Sequence, residues 1–273
     1  MLLPLLVALA AIVALALGWM LFEAQWVEYR RVEVPVARLP RALDGFAVLH
    51  LSDFHLGTLS WNGRTLAKAV DWAARHQVDL VAVTGDLVSR RRGERTLRRA
   101  LARLRSRYGT YAILGNHDVD ETRDPFSGGA DLSGLRAEEA QLLEHASATF
   151  AADGVTVQVA GADPRRLRDP LGHLPDPRAG LRILLLHFPD GIWSLGPGDF
   201  DLILAGHLHG GQICIPTPRG KLRLEHVRAP FWEGLFALPV GMLHVSRGLG
   251  TSFVPFRLLS RPEATILTLR APD

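Results

Sequence analysis

The chain has 273 residues, of which 48% are hydrophobic and 22% are charged. This length suits one α/β domain with an appended segment, and the apolar share excludes an intrinsically disordered chain. The formal net charge is +3 and aromatic residues make up 7%, so composition does not predict a nucleic-acid partner. The single cysteine, Cys214, excludes an intrachain disulfide and leaves both the cytosol and the periplasm open.

Residues 1–22 carry no charged side chain. At about 1.5 Å per residue, a helix of this length crosses a hydrocarbon core of about 30 Å. Trp19 and Trp26 stand near its end, where aromatic rings favour the membrane interface. We therefore predict a transmembrane anchor over residues 1–22. A cleaved signal peptide and a buried core helix are the alternatives.

Positive charge follows this span and does not precede it. The nearest arginines after it are Arg30, Arg31, Arg38 and Arg41. Because such residues stay on the cytoplasmic side, we predict a single-pass protein of the cell membrane whose remaining domain lies on the cytoplasmic face.

A connector over residues 23–44 follows the anchor, and Val32, Val34 and Val36 alternate there as in an edge strand. From residue 45 onward, short apolar runs alternate with helical patterns, which predicts one α/β domain over residues 45–273. The predicted helices cover residues 65–76 and 95–108. The predicted strands cover residues 46–51, 80–83, 111–114, 155–159, 181–186 and 202–204.

Side chains with metal-ligating chemistry follow five of these strands at the point where each strand ends. Ligands bind at this edge of open α/β sheets, so we expect the five groups to converge. Carboxylates, imidazoles and one amide, without a thiolate, suit Mn, Fe, Co or Zn, and there are enough ligands for two ions. The motifs are Asp53-Phe54-His55, Gly85-Asp86, Gly115-Asn116-His117-Asp118, His187 and Gly206-His207-Leu208-His209.

The order and spacing of these motifs, from residue 46 to residue 212, resemble the calcineurin-like metallophosphoesterase superfamily. Three later stretches resemble its bacterial, membrane-anchored, single-domain branch: Ser246-Arg247-Gly248-Leu249-Gly250, Pro255-Phe256-Arg257 and Pro262-Glu263. The resemblance implies a four-layer αββα sandwich, in addition to the N-terminal helix. It also implies two divalent metal ions, chosen from Mn, Fe, Zn and Co, with Mn favoured.

The resemblance further implies a role for each motif residue. The first implied metal site is Asp53, His55, Asp86 and His209, and the second is Asp86, Asn116, His187 and His207. Asp86 is then shared by both sites. A hydroxide between the metals attacks phosphorus in line, and His117 protonates the leaving oxygen or stabilises its charge.

One position departs from a neighbouring branch. Protein Ser/Thr phosphatases of this superfamily carry a further Asp three residues after the Gly-Asp carboxylate, and Ser89 stands there in this chain. The departure counts against a protein phosphatase. It also leaves open which acid supports His117, for which Asp118 is one candidate.

These features together predict a dimetal phosphodiesterase or pyrophosphatase acting on a lipid-linked substrate, with UDP-2,3-diacylglucosamine as the concrete example. The alternatives are a phospholipid headgroup phosphodiesterase, a general phosphomonoesterase and, less in keeping with a complete set of catalytic residues, a metal-binding membrane scaffold without turnover. The predicted partners are the phosphoester substrate and the membrane. The sequence does not indicate an oligomeric state.

Two groups of arginines each allow two interpretations of their role. Nine arginines lie between residues 90 and 107; they form either a solvated helix face or a contact with anionic lipid headgroups. Arg165, Arg166 and Arg168 belong either to a surface loop or to a site for a second substrate phosphate.

Overall fold

The chain begins with a long apolar helix, α1 (Leu2–Glu23). The computed structural model describes residues 2–132, 135, 139–166, 169, 171, 174–218 and 220–272. Among these, α1 is the one helix long and apolar enough to cross a membrane, and its apolar window is 0% buried. The core-helix alternative is therefore wrong, because no part of this window packs inside the protein. A signal sequence passes the same test of length and composition.

The connector leads into the first of fourteen described strands. In chain order these are β1 (Glu28–Pro35), β2 (Ala47–Leu51), β3 (Leu80–Thr84), β4 (Thr110–Ile113), β5 (Gln141–Leu142), β6 (Ala146–Ala152), β7 (Val155–Gly161), β8 (Leu181–Leu185), β9 (Leu202–Ala205), β10 (Cys214–Thr217), β11 (Gly220–Arg223), β12 (Gly234–Leu238), β13 (Gly241–Val245) and β14 (Glu263–Arg270). The six strands that the apolar runs predicted are all present, within two residues at either end.

The strands form two six-stranded sheets and one hairpin. The first sheet has the order β1-β14-β2-β3-β4-β5, the second has the order β12-β13-β9-β8-β7-β6, and β10 pairs with β11. β1 lies at the edge of the first sheet, as the alternating valines predicted. The two sheets face each other over one apolar layer, which includes Val48 and Leu267 from the first sheet and Val159, Ile183 and Leu204 from the second.

The outer face of the first sheet is covered by two helices, α2 (Asn62–Ala73) and α3 (Glu94–Leu101). Leu97 and Leu101 of α3 are buried as its apolar stripe predicted. The predicted extension of this helix to residue 108 is wrong. The chain turns after Leu101 because Tyr108 already donates its N–H to the carbonyl of Asp79, 2.8 Å away, on the way into β4.

The outer face of the second sheet is covered, within the described residues, by loops and short 3₁₀ turns rather than by α-helices. Ile192 and Phe200 are the buried side chains of this layer, together with Leu171 and Leu174. The architecture is thus a mixed α/β sandwich of four layers, in which the fourth layer is irregular.

The strand directions bring most of the strand ends to one side of the molecule. β2, β3 and β4 are mutually parallel, and so are β7, β8, β9 and β13. The side where these strands end is here called the carboxyl edge. β1 runs parallel to β14, and β14 runs antiparallel to β2. β1 therefore starts at the carboxyl edge, directly after the end of α1.

Candidate active site

The strand-end motifs adopt a backbone conformation that residues with a side chain rarely take. Five of the predicted ligands have positive φ: Asp53 (54°), His55 (46°), Asp86 (54°), His207 (72°) and His209 (49°). Each such residue costs on the order of 1–3 kcal/mol, and such residues cluster at functional sites. At these turns the side chains converge at the carboxyl edge.

Two glycines let these tight turns approach one another. A Cβ atom on Gly206 would collide with Ser52 and with the carboxylate of Asp53, and one on Gly115 would collide with Asp86. Any larger residue at either position would push a predicted ligand out of place. Glycine is thus required at both positions, because only a residue without a side chain lets the neighbouring turns come this close.

The predicted ligands converge in three overlapping groups, in each of which one donor atom per residue lies within 4.8 Å of the others. The groups are Asp53, His55 and His209; His55, Asp86 and His117; and Asp86, His187 and His207. Oδ2 of Asp86 lies 3.5 Å from Nε2 of His55 and 3.3 Å from Nε2 of His187. Asp86 therefore stands between the two halves of the cluster, where a bridging ligand would be placed.

The remaining predicted ligands complete the two halves. Nε2 of His209 lies 3.5 Å from Oδ1 of Asp53 and 3.0 Å from Nε2 of His55. On the other side, Oδ1 of Asn116 lies 3.0 Å from Nε2 of His187. Imidazole nitrogens, carboxylates and an amide oxygen that crowd together in this way form a donor set that fits two divalent cations.

Contacts behind the imidazoles fix which nitrogen faces the cluster. Nδ1 of His187 lies 2.9 Å from the carbonyl of Thr84, so it donates its proton there, and Nε2 is the nitrogen that faces Asp86. Nδ1 of His55 lies 3.1 Å from the hydroxyl of Ser89. Such outer contacts set the tautomer and orientation of metal-ligating histidines.

A buried cation holds the turn that carries His209. Arg257 is 0% exposed, and its guanidinium donates to the carbonyls of His209 (3.3 Å), Ser260 (2.8 Å) and Arg247 (2.8 Å). The hydroxyl of Ser260 also donates to the carbonyl of His209, at 2.6 Å. Burial lowers the pKa of Arg257 to about 9. The sequence marked Arg257 as part of a motif but gave it no role.

His117 lies at the side of the cluster and has its own neighbours. Its ring meets that of His55 edge-on at 4.5 Å, and its Nε2 lies 3.2 Å from the hydroxyl of Thr122. Its Nδ1 is buried and has no hydrogen-bond partner among the described residues. Burial lowers the pKa of His117. The ring can therefore offer one nitrogen to a reacting oxygen while Thr122 holds the other.

Asp118, the candidate acid behind His117, faces elsewhere. Its carboxylate accepts the backbone N–H groups of Gly115 (2.8 Å), Val88 (2.8 Å) and Leu87 (3.1 Å). Burial and the nearby charge of Asp86 raise the pKa of Asp118 to about 7. Asp118 thus ties together the two loops that carry Asp86 and Asn116, and the expectation that it supports His117 is wrong.

The charges of the cluster balance one another even though they are buried. Burial opposes ionisation of Asp86, but His187 and His55 hold the pKa of its carboxyl well below the usual value. Burial alone would lower the pKa of His187, yet the adjacent Asp86 raises it to about 9. Burial, reinforced by the charge of His187, lowers the pKa of His207 to about 3. The cluster therefore keeps its carboxylates ionised, as metal ligands must be.

The cluster opens into a cavity of about 300 Å³, whose wall includes His117, Thr122, His226 and Phe253. A groove of about 570 Å³ adjoins it, lined by Phe188, Trp193 and Val227 among others, and shares His207 with the cavity. No periodicity or motif marks Thr122, His226 or Phe253 in the sequence, because all three lie in loops.

Part of each arginine group lies in surface ion pairs. Arg98 pairs with Glu139, Arg103 with Asp71 and Arg107 with Asp153. In the second group, Arg165 pairs with Asp163 and Glu144, and Arg166 pairs with Asp169. Arg168 lies outside the described residues. These pairs fit the solvated-surface alternative for the five arginines that form them.

Comparisons with known proteins agree with this geometry. The model of the calcineurin-like phosphoesterase family matches residues 46–211. The chain is 31% identical over 225 residues to the uncharacterized metallophosphoesterase YkoQ of Bacillus subtilis, covering 80% of this chain and 81% of the relative. It is 31% identical over 280 residues to a transmembrane protein with metallophosphoesterase domain of Danio rerio, covering 96% of this chain but 62% of that protein. It is 27% identical over 278 residues to the UDP-2,3-diacylglucosamine pyrophosphatase LpxG of Chlamydia trachomatis, covering 82% of this chain and 84% of that protein.

Proposed function

We propose, from the premise that the chain belongs to the calcineurin-like phosphoesterase family and is a metal-dependent phosphoester hydrolase, that its cluster of strand-end ligands hydrolyses a lipid-linked phosphoester. The family binds two divalent metals, and the donor set at the carboxyl edge fits them. The position of Asp86 between His55 and His187 is the observation that supports this proposal most strongly.

The proposed ligand sets share Asp86. One metal is held by Asp53, His55, Asp86 and His209, and the other by Asp86, Asn116, His187 and His207. Two cations bound there would supply an activated water at neutral pH and would neutralise the charge that develops on the phosphoryl oxygens. Mn is the proposed metal among Mn, Fe, Co and Zn, all of which this set of oxygen and imidazole ligands can hold.

His117, held by Thr122, is placed to supply the proton that the leaving oxygen needs. Nδ1 of His117 is buried beside the cluster and has no hydrogen-bond partner in the described part of the chain, while Thr122 holds the opposite nitrogen. In this proposal, His117 donates a proton to the leaving oxygen of the substrate. Because burial lowers the pKa of His117, the ring would take up this proton from water when the anionic substrate binds, and would then pass it to the leaving oxygen as the bond to phosphorus breaks.

Two observations support a lipid-linked substrate. The relative from Chlamydia trachomatis is named for hydrolysis of UDP-2,3-diacylglucosamine and matches along 84% of its length. This chain also carries an exposed apolar helix at its N-terminus, long enough to cross a membrane. We propose that α1 anchors the protein and that the arginines after it, beginning with Arg30 and Arg31, keep the catalytic domain on the cytoplasmic face.

The test uses the full-length protein in detergent micelles, stripped of metal and then supplied with Mn. We expect Mn-dependent cleavage of bis(p-nitrophenyl) phosphate, and faster cleavage of UDP-2,3-diacylglucosamine in mixed micelles. Preference for a phospholipid over the nucleotide-linked lipid would replace the proposed substrate with a headgroup phosphodiester. Preference for the soluble monoester would contradict a lipid-linked substrate. Two bound metals without turnover of any substrate would indicate a scaffold.

A further inference from the structure

The end of α1 and the metal-ligand cluster lie at the same edge of the molecule. β1 begins at Glu28, whose register partner is Glu263 at the start of β14. β14 is antiparallel to β2, with Thr265 opposite His50. Glu28 therefore lies level with the end of β2, immediately before Asp53. The apolar helix leaves the domain from the edge that carries the active site.

Direct contacts fix the helix to the loop that supports the cluster. The N–H of Arg257 donates to the carbonyl of Met20 (3.2 Å), and the N–H of Ser260 donates to the buried carboxylate of Glu23 (2.9 Å). Arg257 and Ser260 are the residues that hold the carbonyl of His209. The guanidinium of Arg261 also lies 3.9 Å from the ring centre of Trp26. The helix is thus docked on the catalytic domain and is not joined to it by a free linker.

Exposed apolar side chains are confined to the same edge. Outside α1, every exposed leucine, isoleucine, valine and aromatic residue in the described part of the chain lies at the carboxyl edge, in its loops, its hairpin or the start of β1. Examples are Leu59 (87% exposed), Trp193 (69%) and Val254 (40%). The described loops at the opposite edge expose none. Exposed apolar surface gathered on one face marks an interaction surface.

The loop over residues 252–257 joins the cavity to the helix. Phe253 lines the cavity, Val254 is exposed beside it, and Arg257 contacts Met20 of α1. Met20 adjoins Trp19, whose exposed ring suits the interface between lipid and water. The rim of the cavity is therefore level with the part of α1 where lipid headgroups are expected.

We propose that the carboxyl edge rests on the bilayer that α1 enters, with Leu59, Val254 and their apolar neighbours inserted among the headgroups. The mouth of the cavity then faces the membrane. The substrate is an amphiphile of the same leaflet, and its phosphoester reaches the cluster without leaving the bilayer. This inference rests on the proposed function and on α1 lying in the membrane. It adds which surface of the domain contacts the bilayer and from which side the substrate enters the cavity.

The first experiment measures depth in the membrane. Leu59→Cys, Val254→Cys and, as the control at the opposite edge, Arg178→Cys are each made in the full chain with Cys214→Ser. Each is labelled with a fluorophore in vesicles of phosphatidylcholine and phosphatidylglycerol. We expect nitroxide-bearing lipids to quench the labels at residues 59 and 254, and aqueous iodide to quench the label at residue 178. Iodide quenching of all three labels, with no lipid quenching, would overturn the proposal.

The second experiment separates docking from catalysis. The double variant Leu59→Ser with Val254→Ser should lose about tenfold in turnover of a phosphoester embedded in vesicles, because two apolar contacts with lipid are removed. Hydrolysis of soluble bis(p-nitrophenyl) phosphate should not change, nor should either activity in the control Arg178→Ser. Equal turnover of the vesicle substrate by the double variant would overturn docking. If wild-type protein hydrolyses neither the soluble diester nor the vesicle-embedded phosphoester, the proposed function fails, and the quenching pattern still decides the docking surface.

Discussion

The hydroxyl of Ser89 lies 3.1 Å from Nδ1 of His55, on the side of the imidazole opposite to Asp86 and His209. Ser89 stands where protein phosphatases of the superfamily carry an acid, and it is fully buried. In this chain the position therefore supports a predicted metal ligand, while His117 contacts Thr122. Ser89 thus gives His55 a neutral hydrogen-bond partner at the position where those phosphatases have an acid.

Replacing Ser89 with alanine should weaken metal binding. The variant loses the contact that orients His55, and loss of such a contact typically costs about 10–100-fold in metal affinity. The measurement is a calorimetric titration of metal-free protein with Mn. The matched control is Ser106→Ala, since the hydroxyl of Ser106 donates to the carbonyl of Gly109 within its own turn at the opposite edge. Equal affinities in the two variants would show that Ser89 does not position His55.

Replacing His117 with alanine should leave both metals bound and lower kcat. A positioned general acid contributes about 10²–10⁴-fold to the rate, and the variant should lose an amount in this range. Thr122→Val should lose less, because the imidazole remains but its ring is no longer held. The measurements are the metal content and the steady-state rate of each variant, taken on the same samples. Loss of metal from His117→Ala would instead make His117 a ligand.

Replacing Arg257 with methionine should destabilise the turn that carries His209. The guanidinium satisfies several buried carbonyls at once, and leaving them unpaired costs about 1–3 kcal/mol each in principle. Arg257→Lys should restore little, because a lysine cannot reproduce the planar fork of donors. Chemical unfolding in detergent and metal affinity are the two readouts. Arg178→Met is the exposed control, and similar losses in it would contradict a specific role for Arg257.

Glu263 should make stability depend on pH on the acid side. Its carboxylate lies 2.8 Å from Nε of Arg247 and 2.7 Å from the hydroxyl of Thr265. Burial opposes its ionisation, but His244 and Arg247 hold the pKa of Glu263 below its usual value. A depressed pKa contributes stability that is present above the unfolded pKa and is lost as pH falls towards the folded one.

Glu263→Gln should therefore lower the free energy of unfolding by about 3 kcal/mol at pH 7, with a smaller loss in acid. Unfolding curves of the full chain between about pH 2 and pH 7 measure this difference, because the contribution is lost only as pH falls below the unfolded pKa of about 4.5. The control is Glu33→Gln, since Glu33 pairs with Arg270 on the surface. A pH-independent difference between wild type and Glu263→Gln would contradict the assignment.

The sequence predicted the parts of the fold that local patterns encode. Buried strands such as β3 and β9 are nearly continuous apolar runs, and the ligands follow directly after those runs end. β12 and β13 escaped prediction because β12 is half-buried, β13 runs from half-buried to buried residues, and neither has a clear period. The contact of Arg257 with His209 spans 48 residues, and that of Ser260 with Glu23 spans 237. Such pairings depend on topology, so a single sequence carries no signal for them.

Direct measurement of bound metal in wild type and Asp86→Asn tests the central claim, because Asp86 is the one ligand that both proposed sites share. Elemental analysis of the full-length protein should find two metals per chain in wild type, fewer in Asp86→Asn, and an unchanged number in the surface control Asp71→Asn. Hydrolysis of bis(p-nitrophenyl) phosphate should be lost with the metals in Asp86→Asn alone. Two metals and full activity in Asp86→Asn would contradict a dimetal centre bridged by this carboxylate.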